Sequence, residues 1–269
     1  MAFIDGVRHG EASLYAVCAD GSLARGVAGV LGAGAVICSP ATTPVIAATH
    51  IERVVIWSDG AKFELPDVSG GWGWVVHSVA KSDPKGPLDE LQLRMRRAEE
   101  SIAVDLIKLG HLVIVDGPLY FPLRRDLDAV GYIKTHHRPL LKPEHRSIIR
   151  QLGVAQRTSL FQIGTDRYSS YIRIAQPSRD AGPWAGIVRI DLPASNGIEQ
   201  AVKRADMLAS RLPRYAGVPH RDARAPQNLQ PIGGLEHHLR HLLGHPGLGE
   251  RAVREAVRTV REMEEKKRG

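Results

Sequence analysis

The sequence predicts an α/β fold in which a mixed central sheet is flanked by helices and followed by a C-terminal helical extension. Three observations carry this prediction. From Leu88 to Leu109 no proline or glycine interrupts a strongly helical composition. Directly after it, Leu112, Val113, Ile114 and Val115 form an unbroken apolar run, the pattern of a short strand buried on both faces. On either side of this pair lie further short apolar runs bounded by turn residues, as strands are.

At 269 residues the chain can bury a large core. One domain over 1–269 accounts for it, with a core over about 1–212 and a loop and helices over 213–269. Hydrophobic content of 43% and charged content of 24% are ordinary for a soluble globular protein. The 36 Lys and Arg exceed the 29 Asp and Glu by enough to give +7, which suits nucleic acid or another polyanion as partner. Because the basic residues are spread along the chain, the charge alone fits an ordinary basic protein equally well. Cys18 and Cys38 sit among apolar residues and read as small core residues, not a metal pair or a disulfide framework. The opening MAFIDG lacks a basic segment followed by an apolar one, and no apolar run approaches the ~20 residues that span a bilayer. These features predict a soluble cytoplasmic protein with no membrane attachment.

In chain order, Phe3 and Ile4 open a strand, Asp5-Gly6 makes a polar bend, and Leu14 to Cys18 returns as a second strand. The run Gly26 to Gly34, GVAGVLGAG, lacks an ordered Gly-x-Gly-x-x-Gly and a Gly-Lys-Ser/Thr ending. It reads as flexible strand or loop feeding the apolar Ala35 to Cys38. Arg53 to Trp57 forms a further strand, closed by Ser58-Asp59-Gly60. In the helix over Leu88 to Leu109, Met95, Ala98, Ile102, Leu106 and Leu109 recur at steps of three and four and define one buried stripe. At ~100° per residue Glu99 lies within ~40° of the centre of that stripe and Glu100 on the flank beyond it. Glu99 is therefore expected inside and Glu100 mostly outside. Gly110 stops the helix, and Asp116 ends the next strand because Gly117 and Pro118 cannot comfortably continue it.

Val130 to Ile133 forms a strand that runs into the basic loop Lys134-Thr135-His136-His137-Arg138. Its two adjacent histidines point to opposite faces and are poor co-ligands for one metal. Thr158 to Ile163 and Tyr168 to Ile174 form a hairpin, and Ile187 to Ile190 adds a strand. Gly197 to Leu212 is a helix with Val202, Ala205, Leu208 and Ala209 inward and Asp206 beside them. A polar loop, His220 to Asn228, leads to a helix starting near Leu235, and a last helix runs from Glu250 to Lys267.

Carboxylates at element ends carry the chemistry. Singly, each has an ordinary explanation: Asp5 and Asp116 as turn residues, Glu99 as the ion-pair partner of Arg96 or Arg97, Asp206 as a surface charge beside Lys203 or Arg204. As a set, Asp5, Glu99, Asp116 and Asp206 follow the order strand, helix, strand, helix. Four gathered acids need cations, and carboxylate-rich sites suit Mg²⁺ or Mn²⁺. Two such ions ~3.5–4 Å apart activate water and stabilise the leaving oxygen of a phosphodiester. Ribonuclease-H-like nucleases use the same order of acids, an analogy of fold. Lys134 and Arg138 are candidate phosphate contacts. Arg173 and Arg224 are further DNA-contact candidates that read equally well as structural ion pairs.

Four stretches in order resemble the NurA family of nucleases: FIDGVR at 3–8, AEESIAVDLIKLGHLVIVDGPL at 98–119, YIKTHHR at 132–138, and the run from GIEQAVKRAD at 197 to PQNLQPIGGLEHHLRH at 226–241. Their order and spacing carry the resemblance, not any single motif. It implies a ribonuclease-H-like core and Mn²⁺- or Mg²⁺-dependent cleavage of DNA through two ions, as a 5′ to 3′ exonuclease and single-strand endonuclease. It also implies a homodimer enclosing the active sites and a hexameric HerA-like ATPase as translocase partner in end resection. The family's strand-end acid falls on Asp5, its helical glutamate on Glu99 and its second strand acid on Asp116. Where the family often has a Tyr followed eight positions later by a His, this chain has Ile198 and Asp206. Asp206 can still bind metal, whereas Ile198 offers no hydroxyl. Asp5 and Asp116 would share the ions, Glu99 and Asp206 would complete their shells, and Lys134 would hold the scissile phosphate. The alternative is a DNA-binding or translocase-adaptor module on the same fold without activity.

Overall fold

The computed structural model describes residues 1–80, 83–119, 127–136, 140–176, 182, 184–218, 220 and 224–268. The strands are β1 (Ala2–Val17), β2 (Leu23–Ile37), β3 (Val45–Trp57), β4 (Val75–Ser78), β5 (Val113–Asp116), β6 (Ala129–Ile133), β7 (Phe161–Ile163), β8 (Arg167–Arg173) and β9 (Ile187–Pro193). They form one sheet in the order β4-β3-β2-β1-β5-β6-β9-β8-β7. The helices are α1 (Gly86–Lys108), α2 (Ser147–Gln151), α3 (Ile198–Arg211), α4 (Gln230–Leu243) and α5 (Pro246–Arg268). β1, β5 and β6 run parallel, whereas β6, β9, β8 and β7 pair antiparallel. This is the mixed sheet with flanking helices that the sequence predicts. None of the helices is long and apolar enough to cross a membrane among the described residues. The chain divides into two compact units: Met1–Asp5, Gly34–Ala48 and Glu99–Glu236 form the first, and Gly6–Ala33, Thr49–Ala98 and His237–Gly269 the second.

In the first unit, the register Ala2↔Val113, Phe3↔Ile114 and Ile4↔Val115 decides which side chains share a face. Ala2, Ile4, Val113, Val115 and Ala129 turn to one face, where Ala103, Leu106 and Ile102 of α1 pack on them. Each fully buried Val or Ile there contributes about 1.5–3 kcal/mol of transfer free energy. Phe3 turns to the other face and meets Tyr215 edge-on, with ring centroids 5.0 Å apart. α1 stops as predicted. Gly110 adopts φ +81°, its N–H donates to the Ile107 carbonyl at 2.9 Å, and the His111 N–H donates to the Leu106 carbonyl at 3.0 Å. These bonds satisfy carbonyls of the last turn and send the chain into β5. A second apolar cluster, Ile149, Leu152, Tyr171 and Ile187, lies with Phe161 and Trp184. On α3 the buried residues are Ala201, Ala205, Leu208 and Ala209, with Val202 exposed, so the apolar face is rotated one position from the predicted stripe.

In the second unit, one prediction is corrected and another is narrowed to a strand. β1 continues through Gly6 without the predicted break, because a strand within a sheet satisfies its backbone groups by pairing whatever the local turn preference. β2 runs straight through the glycine-rich segment, and close packing accounts for those glycines. A Cβ on Gly26 would stand 2.5 Å from the Trp57 ring, one on Gly29 2.9 Å from the His9 carbonyl oxygen, and one on Gly32 2.9 Å from Ile51. β4, which no apolar run announced, pairs parallel with β3 from Val54↔Val75 to Trp57↔Ser78.

Candidate active site

The parallel strands β5 and β6 end next to one another, beside the Asp5 position of β1, which itself runs on to Val17, and in open α/β sheets ligands bind outside the carboxyl ends of such strands. One step beyond Ile4↔Val115 the register brings Asp5 beside Asp116, and Asp116 in turn pairs with Tyr132. Side chains at paired positions of parallel strands share a face. Asp5, Asp116, Tyr132 and, two residues on, Lys134 therefore alternate with the residues that α1 covers. The turn after Asp116 is held tightly. Gly117 adopts φ +104°, its N–H donates to the Tyr132 carbonyl at 2.8 Å, and the chain crosses so close to Gly131 that a Cβ there would lie 2.5 Å from the Leu119 nitrogen.

Lys134 joins the line of polar groups. Its Nζ donates to Asp116 Oδ2 at 2.6 Å and to Asn228 Oδ1 at 2.9 Å. The pair is largely shielded, with side-chain exposures of 18% for Lys134 and 16% for Asp116, so removing either partner would leave a poorly solvated charge. Asp5 and Asn228 are buried as well. Burial, and secondarily the Asp116 carboxylate, push the Tyr132 phenol well above its ordinary pKa. The phenol accordingly stays protonated and donates to the Gln227 carbonyl at 2.6 Å.

The other predicted residues fall elsewhere. Glu99 is buried, as expected. It lies on α1, seven helix residues before Leu106. Glu100 is also buried, at 3% exposure, contrary to the prediction that it faces mostly outward. Consecutive helix residues differ by ~100°, so the flank of α1 is covered here as well as its apolar stripe. Asp206 is 61% exposed and is held by Arg157, Nε at 2.8 Å and Nη2 at 2.7 Å, not by Lys203 or Arg204. Arg173 is buried, and its guanidinium donates to the carbonyls of Leu152, Ala185 and Arg150. That is an internal clamp, in line with the structural alternative to a DNA contact. Arg224 is half-exposed and donates to Glu236 at 2.6 Å. Ile198 is 48% exposed at the start of α3. His136 packs against Tyr171 and Trp184. His137 and Arg138 lie outside the described residues.

Asp5 and Asp116 supply the hard oxygen donors that Mg²⁺ or Mn²⁺ prefers. Among the described residues, however, no three His, Cys, Asp or Glu side chains are grouped to hold a metal ion, and an ammonium occupies one oxygen of Asp116. The described geometry is two adjacent carboxylates with a lysine, with Glu99 on α1 and Asp206 held by Arg157. Asn228 and Tyr132 are the members that sequence reasoning missed. Tyr132 had a usable signal, since it shares strand parity with Lys134. Asn228 had none, because a loop asparagine becomes an interior acceptor only through tertiary contacts.

No protein-family model matches the chain, and no curated protein matches it in sequence. Among solved structures the chain is similar to the crystal structure of the NurA nuclease from Sulfolobus solfataricus. The two share 12% identity and a TM-score of 0.49, over 88% of this chain and 77% of that one.

Proposed function

We propose that the chain is a DNA nuclease whose scissile phosphate lies at the carboxyl ends of β5 and β6, beside Asp5 of β1. One observation carries this reading: the line Asp5, Asp116, Lys134, Asn228, in which the register sets Asp5 next to Asp116, and Asp116 and Asn228 direct the Lys134 cation by two hydrogen bonds. A carboxylate at that position can take a proton from an attacking water, and an ammonium can hold a non-bridging phosphate oxygen as charge develops. The reading includes a requirement for Mn²⁺ or Mg²⁺, which when bound would polarise the phosphate and lower the pKa of water. Asp5 and Asp116 are the residues proposed to hold it, with Glu99 as a further acid of the set. Support for 5′ to 3′ polarity, for a homodimer and for a HerA-like ATPase partner comes from the sequence resemblance alone.

Purified protein incubated with linear DNA and Mn²⁺ is expected to digest it. Asp116→Ala should lower the rate about a hundredfold or more, and chelation should abolish it. A second reading, a DNA-binding or adaptor module without activity, draws on the placement of Asp206 with Arg157 and on the absence of a three-acid group among the described residues. Wild-type protein that binds DNA but fails to cleave it, with or without the ATPase, would select that second reading.

A further inference from the structure

We propose that Asn228 is a positioning residue for Lys134, setting the direction of its ammonium toward the phosphate; this deepens the nuclease reading above and rests on it. An ammonium has three donors and sits on a flexible four-carbon stem. Here Asp116 Oδ2 takes one donor at 2.6 Å and Asn228 Oδ1 takes a second at 2.9 Å. Two fixed acceptors determine where the third donor points, which leaves it for a substrate oxygen. With Asp116 alone the group could rotate about a single ion pair.

The loop that carries Asn228 is built to hold it still. Asn228 is 1% exposed. Its N–H donates to the Arg224 carbonyl at 3.1 Å, and the Gly217 N–H donates to the Pro226 carbonyl at 3.0 Å. The loop passes so close to residue 217 that a Cβ there would lie 2.3 Å from the Asn228 carbonyl oxygen. The neighbouring Gln227 accepts from the Tyr132 hydroxyl at 2.6 Å and donates through Nε2 to the Trp184 carbonyl at 3.0 Å. Tyr132 is the β6 partner of Asp116, so the loop and the carboxylate are referenced to the same strand. Charge explains why the acceptor is an amide. Asp5, Asp116 and Lys134 already carry one net negative charge, and a further carboxylate at 228 would add to it and repel a phosphodiester more strongly. An amide oxygen directs the ammonium without cancelling its charge.

The experiment is a double-mutant cycle on DNA cleavage by the full chain, using Asn228→Ala, Lys134→Ala and the double variant, together with DNA affinity and the ¹⁵Nζ resonance of Lys134. Asn228→Ala is expected to lower kcat about tenfold, with DNA affinity within about twofold, and to shift or broaden the Lys134 resonance. The double variant should be no slower than Lys134→Ala. A folded Asn228→Ala protein with wild-type kcat, or losses that multiply in the double variant, overturns the proposal. Asn228→Asp keeps the acceptor and serves if the alanine variant does not fold: it should retain the Lys134 resonance but weaken DNA binding, and unchanged DNA affinity counts against the proposal. If wild-type protein does not cleave DNA, the nuclease reading fails. The positioning of Lys134 by Asn228 is then decided by the resonance alone.

Discussion

Arg173 keeps its guanidinium inside the protein, and that decides what its loss should do. Its three carbonyl acceptors belong to Leu152, which is buried, and to Ala185 and Arg150, which are not fully buried, so removing the side chain leaves the Leu152 carbonyl buried without this donor and the other two partly shielded. Leaving buried acceptors unmade costs ~1–3 kcal/mol each, only partly additive. Arg173→Ala is therefore expected to lower the free energy of unfolding in urea by roughly 3 kcal/mol, with DNA affinity of the folded protein unchanged. Lost DNA affinity at unaltered stability would contradict this. The same residue shows where reading the sequence runs out. β8 is buried along most of its length, so alternation could not tell which side chains face solvent. Asp116 was legible because Gly117 and Pro118 leave a strand nowhere to go. Glu99 was legible through helical periodicity, but periodicity cannot reveal how wide a face neighbouring elements cover, and Glu100 was misjudged for that reason.

At the scale of elements, α1, β5 and β6 were readable because composition, period and stop signals agree in them. β2 was not, because glycine disfavours strands on average and only packing reverses that. The Gly26 position is occupied on the far side by three atoms of the Trp57 ring, at 2.5, 2.8 and 2.9 Å from a built Cβ. Gly26→Ala must displace a buried indole and is expected to destabilise by about 1–3 kcal/mol. Gly234, inside α4, offers the opposite case, since a Cβ there meets nothing within 4 Å. Gly234→Ala should stabilise by about 0.5–1 kcal/mol through helix propensity. Thermal or chemical unfolding of the two variants checks both signs, and two changes of the same sign would mean that propensity, not packing, places these glycines.

For the whole molecule the relevant quantity is the net charge of +7, which composition reports but does not locate. Binding to DNA through phosphates releases counterions, so log K should fall linearly with log salt, by about 0.9 for each phosphate neutralised on duplex DNA. The slope therefore distinguishes residues that touch the backbone from residues that are merely basic. Arg224 is half-exposed and tied to DNA only by proposal, being held by Glu236 in this structure. If it exchanges that partner for a phosphate, Arg224→Ala should flatten the slope by about 0.9. Arg173→Ala removes the same formal charge from the interior and should leave the slope as it was, whatever it does to stability. Affinity measured by titration at several salt concentrations gives both slopes, and equal changes in the two variants would show that total charge, not placement, governs recognition. Unequal changes would tie the diffuse positive charge of the sequence to one face of the fold, the step that the sequence alone could not take because its basic residues are spread along the chain.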